Sequence, residues 1–179
     1  KGDMKNGFVR NGEGKEMDGS GRVVRSGCWV DGVYYLMIPS SLTSNPLGIK
    51  KLRIGDNGYN DDSVTELKLS WLVRLIRIVI GDECFRNVRV FELNGLSELE
   101  SVVIGQESFR IGSSGRSDGS YRIVNCPKLK SIQIGDWSFY DYHSFELSNL
   151  PSLQSIDIGY ISFFYAPSFS LTGLIDGLV

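Results

Sequence analysis

One histidine and three cysteines are the side chains in this sequence best suited to proton transfer, metal ligation or nucleophilic attack, and their spacing organises none of them. His143 stands between Phe139 and Phe145 in a stretch that reads as a loop, beside Tyr140, Tyr142 and a single nearby carboxylate, Asp141. A general base or a metal centre needs several convergent polar groups, and this stretch offers none. Cys28, Cys84 and Cys126 are odd in number, far apart and free of C-x-x-C spacing. That pattern argues against a disulfide framework or a zinc site and predicts a reducing, cytoplasmic compartment. The densest set of oxygen ligands is Asp56, Asn57, Asn60, Asp61 and Asp62. A calcium loop places a glutamate at about its twelfth position, where this chain has Leu67. Gly12 to Gly21 includes Lys15 but lacks the G-x-x-x-x-G-K-S/T spacing that cradles phosphates. The residues therefore predict a chain that is not an enzyme, with no catalytic residue, no cofactor and no metal.

The elements that would carry any function must be sought in the pattern. Net charge is −2 and the sequence pI is about 5.5, so no general basic field gathers nucleic acid. Apolar runs such as Leu72 to Ile80 are broken by Arg74 and Arg77 and fall short of the roughly 20 residues a bilayer span needs.

Self-similarity is the strongest signal. The unit reads F-x-L-x-x-L-x-x-L-x-S-I-x-I-G-x-x-S-F: Phe91, Leu93, Leu96, Leu99, Ser101, Val102, Ile104, Gly105, Ser108 and Phe109 match Phe145, Leu147, Leu150, Leu153, Ser155, Ile156, Ile158, Gly159, Ser162 and Phe163 position by position. Gly55, Gly81, Gly105, Gly135 and Gly159 follow one another at 26, 24, 30 and 24 residues. The basic period is about 24, and the long copy contains Gly112 to Tyr121, a glycine-serine stretch expected to bulge outward as a loop with nothing to bury.

In S-I-x-I-G, two aliphatics two apart face one side and the residue between them faces the other, which describes a short strand. Leucines spaced by three cannot continue that period and predict a tight turn feeding the same core. The glycine after the strand implies either a positive φ or a close backbone approach, and F-x-L predicts a second short strand on the opposite wall. One such coil buries too little to offset its own ordering, so neighbours must stack. The fold class is mainly β: a leucine-rich-repeat-like solenoid over 49–179, C-terminally incomplete, behind a glycine-rich β-hairpin module at 1–35 and a linker at 36–48.

From Ile49 to Leu174 the pattern resembles the leucine-rich-repeat superfamily, and its I-G-x-x-S-F element is similar to the BspA-like branch. The asparagine that many members place after the strand is replaced by Gly105, Gly135 and Gly159, so no asparagine ladder is expected. Gly2, Met4, Gly7, Gly12 and Gly14, restarted by Gly27, Trp29 and Gly32, resemble MORN repeats, with Asn6-Gly7 and Asp31-Gly32 as hairpin signals. Cys84 occupies the slot of Ser108, Ser138 and Ser162, and Cys126 that of Leu96 and Leu150, so both read as core fillers.

What remains is surface. Arg53, Val79, Val103, Gln133 and Asp157, between the strand aliphatics, are expected to line one exposed face. Trp137, Tyr140, Tyr142 and Tyr160 are expected along its rim, aromatic residues being enriched among interface anchors. The expected function is a non-catalytic protein–protein interaction scaffold with a protein partner, in which the MORN-like hairpins extend the array or join two copies as a homodimer. The alternatives are peripheral attachment of that module to an anionic membrane surface and a surface adhesin.

Overall fold

The computed structural model describes residues 49–60, 62, 64–112 and 118–174, and the strand segments 12–17, 23–30 and 33–36 as backbone. β1 (Gly12–Met17), β2 (Val23–Val30) and β3 (Val33–Leu36) form an antiparallel sheet in that order, with Gly14 opposite Gly27 and Val30 opposite Val33. The expected Gly2–Gly7 unit, the Asp31-Gly32 turn and most of the linker lie outside the described residues.

From Lys51 onward strands fall alternately into two parallel five-stranded sheets. The first holds the S-I-x-I segments β4 (Lys51–Ile54), β6 (Arg77–Ile80), β8 (Ser101–Ile104), β10 (Ser131–Ile134) and β12 (Ser155–Ile158). The second holds the F-x-L segments β5 (Glu66–Lys68), β7 (Val90–Asn94), β9 (Gly119–Val124), β11 (Tyr142–Leu150) and β13 (Ser168–Leu174). Repeat positions pair in register, Leu52 with Ile78, Ile78 with Val102, Val102 with Ile132, and Ile132 with Ile156. The chain is thus a β-solenoid whose coils of about 24 residues each supply one strand to each sheet.

The corners follow from the residue types. In the leucine triplets, Leu75 N–H donates to the Leu72 carbonyl, Leu99 to Leu96, Leu129 to Cys126 and Leu153 to Leu150, closing the tight turns that the spacing predicts. After each strand glycine, the G-x-x-S-F segment places two residues in the left-handed region, for example Glu107 and Phe109 (φ 51° and 57°) or Trp137 and Phe139 (φ 59° and 53°). Such residues often mark functional strain. Here they recur in every coil, and Glu83, Glu107 and Trp137 each donate N–H to the next coil at 2.8–2.9 Å, so they are the geometry of the corner itself.

The strand glycines do not adopt positive φ; the reason for them is close approach. A Cβ at Gly135 would lie 2.6 Å from both the Gln106 nitrogen and the Gly105 carbonyl carbon, whereas at Gly55, in the first coil, it would meet nothing within 4 Å. Two other expectations are corrected. Tyr121 and Ser120 do not belong to an outward loop: Ser120 pairs with Val90 and Ser144, and Tyr121 is fully buried in β9. Regular strand resumes at Gly119, so a coil longer by six residues still places a core aromatic at Tyr121. An asparagine file also exists, at the end of the second sheet: Asn149 Nδ2 donates to Asn125 Oδ1 at 2.9 Å and Asn125 Nδ2 to Asn94 Oδ1 at 3.1 Å. Asn125 and Asn149 sit at φ 55° and 54°, in the corner slot that Gly95 and Gly173 fill at 73° and 61°, because only glycine and asparagine take that conformation readily.

Two columns of rings fill the interior. Tyr59, Phe85, Phe109, Phe139 and Phe163 stack with centroids 4.5–5.3 Å apart, and Phe91, Tyr121, Phe145 and Phe169 form a second stack at 5.0–5.2 Å. Edge-to-face contacts such as Tyr121 on Phe139 (4.9 Å, 77°) lock the columns together. Phenylalanine stands at every second-column position but Tyr121, whose buried hydroxyl finds no partner among the described residues; burial, with a smaller contribution from Cys126, drives its pKa far up. Tyr121→Phe removes that unpaired group, so the urea midpoint is expected to rise, equivalent to about 1–2 kcal/mol. A fall would show that the hydroxyl has a partner.

Candidate interaction surface

The residues with chemical potential are consumed by the stacking. Ser138 Oγ accepts the Ser108 N–H at 3.1 Å and donates to the Gly105 carbonyl at 2.7 Å. Ser108 does the same for Cys84 N–H and the Gly81 carbonyl, and Ser162 for Ser138 N–H and the Gly135 carbonyl. Cys84 is the first member of this file: Sγ accepts from Gly58 N–H at 3.4 Å and donates to the Gly55 carbonyl at 3.1 Å. Burial pushes the thiols of Cys84 and Cys126 upward, opposite to what a nucleophile needs.

The oxygen-rich segment is likewise built into the coil contacts. Asp56 Oδ1 accepts the Asp82 N–H, Asn60 Oδ1 the Arg86 N–H, and Asp62 Oδ1 the Asn87 amide. Among the described residues no group of three or more His, Cys, Asp or Glu side chains could hold a metal ion. His143 is not in a loop: it is the exposed second residue of β11.

The first sheet presents the face that the alternation predicts. Arg53, Gln133 and Asp157 are exposed and Val79 and Val103 half-buried, while the aliphatics on either side of each point inward, fully buried in all but the last coil. They share one register row, since Arg53 pairs with Val79, Val79 with Val103, Val103 with Gln133 and Gln133 with Asp157.

The rim is more concentrated than the sequence shows. Arg110 lies 5.6 Å from the Trp137 ring and 5.5 Å from the Tyr140 ring. Trp137 meets Tyr140 at 5.7 Å and Tyr160 at 6.3 Å, and Tyr140 stacks on Phe164 at 5.4 Å and meets Tyr165 edge-on at 5.2 Å. Tyr160, Phe164 and Tyr165 are 71, 60 and 45 % exposed. Beneath this ridge burial raises the Asp141 carboxyl while Arg110 lowers it. Tyr142 does not belong to the rim: its ring packs edge-on against Phe139 in the core, and its hydroxyl donates to the Val88 carbonyl at 2.6 Å, two coils back. Tyr142, three residues before Phe145, pairs in register with Gly119, so its ring spans the layer in which the lengthened coil has no side chain. Arg110, Phe164 and Tyr165 escape sequence reasoning because they fall outside the repeat's fixed positions; the one signal is a run of aromatics, Phe163-Phe164-Tyr165, where the unit requires a single ring.

Fold and surface together define the class: a parallel β-solenoid with a period near 24, consistent with leucine-rich-repeat-like architecture in the general sense. No family model, no curated protein and no solved structure matches the chain.

Proposed function

We propose that this chain is a non-catalytic protein–protein interaction scaffold whose contact surface is the ridge of Arg110, Trp137, Tyr140, Tyr160, Phe164 and Tyr165 with the adjoining sheet face. The observation that carries the reading is the exposure of Tyr160, Phe164 and Tyr165 beside a tryptophan and an arginine, the residue types that dominate binding energy at protein interfaces. Three aromatic side chains facing water gain nothing for the fold that smaller polar residues would not supply.

The finer readings belong to the same proposal. The I-G-x-x-S-F corner supports the BspA-like type, the antiparallel β1–β3 sheet supports a MORN-like unit that extends the array, and the odd cysteine count supports a cytoplasmic setting. Neither an enzyme nor a cofactor is part of this proposal.

The test is affinity capture from source-cell lysate by the full chain, by Trp137→Ala/Tyr160→Ala and by Val79→Glu/Val103→Glu, after circular dichroism shows that all three fold. A defined protein retained by the parent and depleted at least about tenfold by the ridge variant is the expected result, since hot-spot truncation typically costs 2 kcal/mol or more. Equal capture by parent and ridge variant, or capture by neither, would sink the proposal.

A further inference from the structure

We infer that a cationic strip on the first two coils is a docking site for an acidic, partly apolar segment of a protein partner, an inference that rests on the scaffold reading and adds a second contact region to it. Lys50, Lys51 and Arg53 of the first coil and Arg74 and Arg77 of the second are all exposed. Lys51 pairs in register with Arg77, so two like charges stand on adjacent strands about 4.8 Å apart, an arrangement that costs stability and gains nothing within the fold.

The neighbouring coil supplies no compensation. The row of Arg74 continues with Glu98, whose carboxylate is held by Lys128 at 2.8 and 3.0 Å. The row of Lys50 continues through Ile76 to Glu100, which is held by Lys130 at 3.2 Å. Both carboxylates are turned toward the fourth-coil lysines, and among the described residues Lys50, Lys51, Arg74 and Arg77 enter no salt bridge. In a chain of net charge −2, this is a local excess of positive charge.

An apolar contact lies on the same stretch of the second coil. Trp71 and Val73 are 37 and 48 % exposed, and away from the last coil and its corner they are the exposed large hydrophobics of the described residues. The indole N–H of Trp71 already donates to the Lys68 carbonyl at 3.1 Å, which fixes the ring and leaves its apolar surface as what it offers. Cations beside a fixed tryptophan and a valine complement a segment carrying carboxylates and at least one large apolar side chain.

A bilayer fits less well. The strip is two coils, about 10 Å, wide, and the same side of the molecule presents Glu98, Glu100 and Asp157, which an anionic plane would repel.

The probe is a fluorescein-labelled peptide of alternating Glu and Leu, with a Lys-Leu counterpart as control and phosphatidylcholine vesicles containing phosphatidylserine as the membrane arm, all measured against the full chain. The Glu-Leu peptide is expected to bind and the Lys-Leu peptide not, with affinity falling as salt rises. Lys51→Glu/Arg77→Glu, folded by circular dichroism, is expected to lose about tenfold or more. Trp71→Ala is expected to weaken binding severalfold with the salt dependence kept. No peptide binding, equal binding by the charge-reversed variant, or vesicle binding without peptide binding each overturns the inference. Trp137→Ala/Tyr160→Ala is expected to keep the peptide, so a failure here leaves the lysate capture by the ridge standing, and the two readings fail separately.

Discussion

Gly135→Ala is expected to lower the urea midpoint of the chain by an amount equivalent to about 3 kcal/mol, whereas Gly55→Ala holds it or raises it by up to about 1 kcal/mol. The two residues occupy the same slot at the end of an S-I-x-I strand. At Gly135 the new methyl would sit 2.6 Å from backbone atoms of Gly105 and Gln106, and backbone cannot rotate aside as a side chain would. The coils must separate there, which lengthens the Gly135 N–H to Ile104 carbonyl bond, 2.8 Å in the intact chain. At Gly55 nothing lies within 4 Å of the added carbon and φ is not left-handed, so alanine only reduces the freedom of the unfolded chain. Urea titration followed by far-ultraviolet circular dichroism separates the two, and equal midpoints would show that close stacking does not select the glycine.

Ser138→Ala is expected to cost about 2–4 kcal/mol, and Ser138→Cys less than half as much. The hydroxyl serves the Ser108 N–H and the Gly105 carbonyl at once, and alanine orphans both in a site where Ser138 is fully buried; each unsatisfied backbone group costs about 1–3 kcal/mol. Cysteine keeps a donor and an acceptor in the slot, as Cys84 demonstrates with Gly58 and Gly55, although its longer, weaker bonds recover only part of the loss. Denaturation midpoints of the three proteins are the measurement. Alanine and cysteine variants of equal stability would mean that packing rather than hydrogen bonding holds the file.

The periodic part of this structure is legible because each coil repeats the same burial problem. Ile78, Val102 and Ile132 face inward since their spacing of two leaves no other arrangement beside Leu75, Leu99 and Leu129, and the second strand follows from Phe91 with Leu93 and from Phe145 with Leu147. The inward role of Ser108, Ser138 and Ser162 is implied by their shared slot with Cys84 but not its cause, because the partners are backbone groups of the coil before. Tyr121 and Tyr142 mislead for a related reason. In sequence one follows a polar loop and the other sits in an aromatic cluster; only the lengthened third coil shows that the first returns to the ring column and the second reaches across to Val88. The rim is half legible: Trp137, Tyr140 and Tyr160 stand out by type, whereas Arg110 and Phe164 reach them across coils 24 or more residues apart. The cationic strip is legible as residue types, yet its lack of compensation depends on Glu98 and Glu100 being drawn toward Lys128 and Lys130.

Ser108 and Ser138 are separated by 30 residues, against 24 for Ser138 and Ser162, yet their hydrogen bonds are alike, 3.1 and 3.2 Å. Contour length and stacking register are therefore independent in this fold: the coil with six extra residues, whose surplus falls between Ser108 and Ser138 and takes in Gly112 to Asp118, still pairs in register with its neighbours in both sheets. A segment grafted at that point inherits a rigid footing on both sides, with Arg89 already holding Asp118 at 2.9 Å on the return. The architecture thus separates the part of the chain that must repeat from the part free to diversify, and new contacts can be added at its circumference while the interior stays as it is.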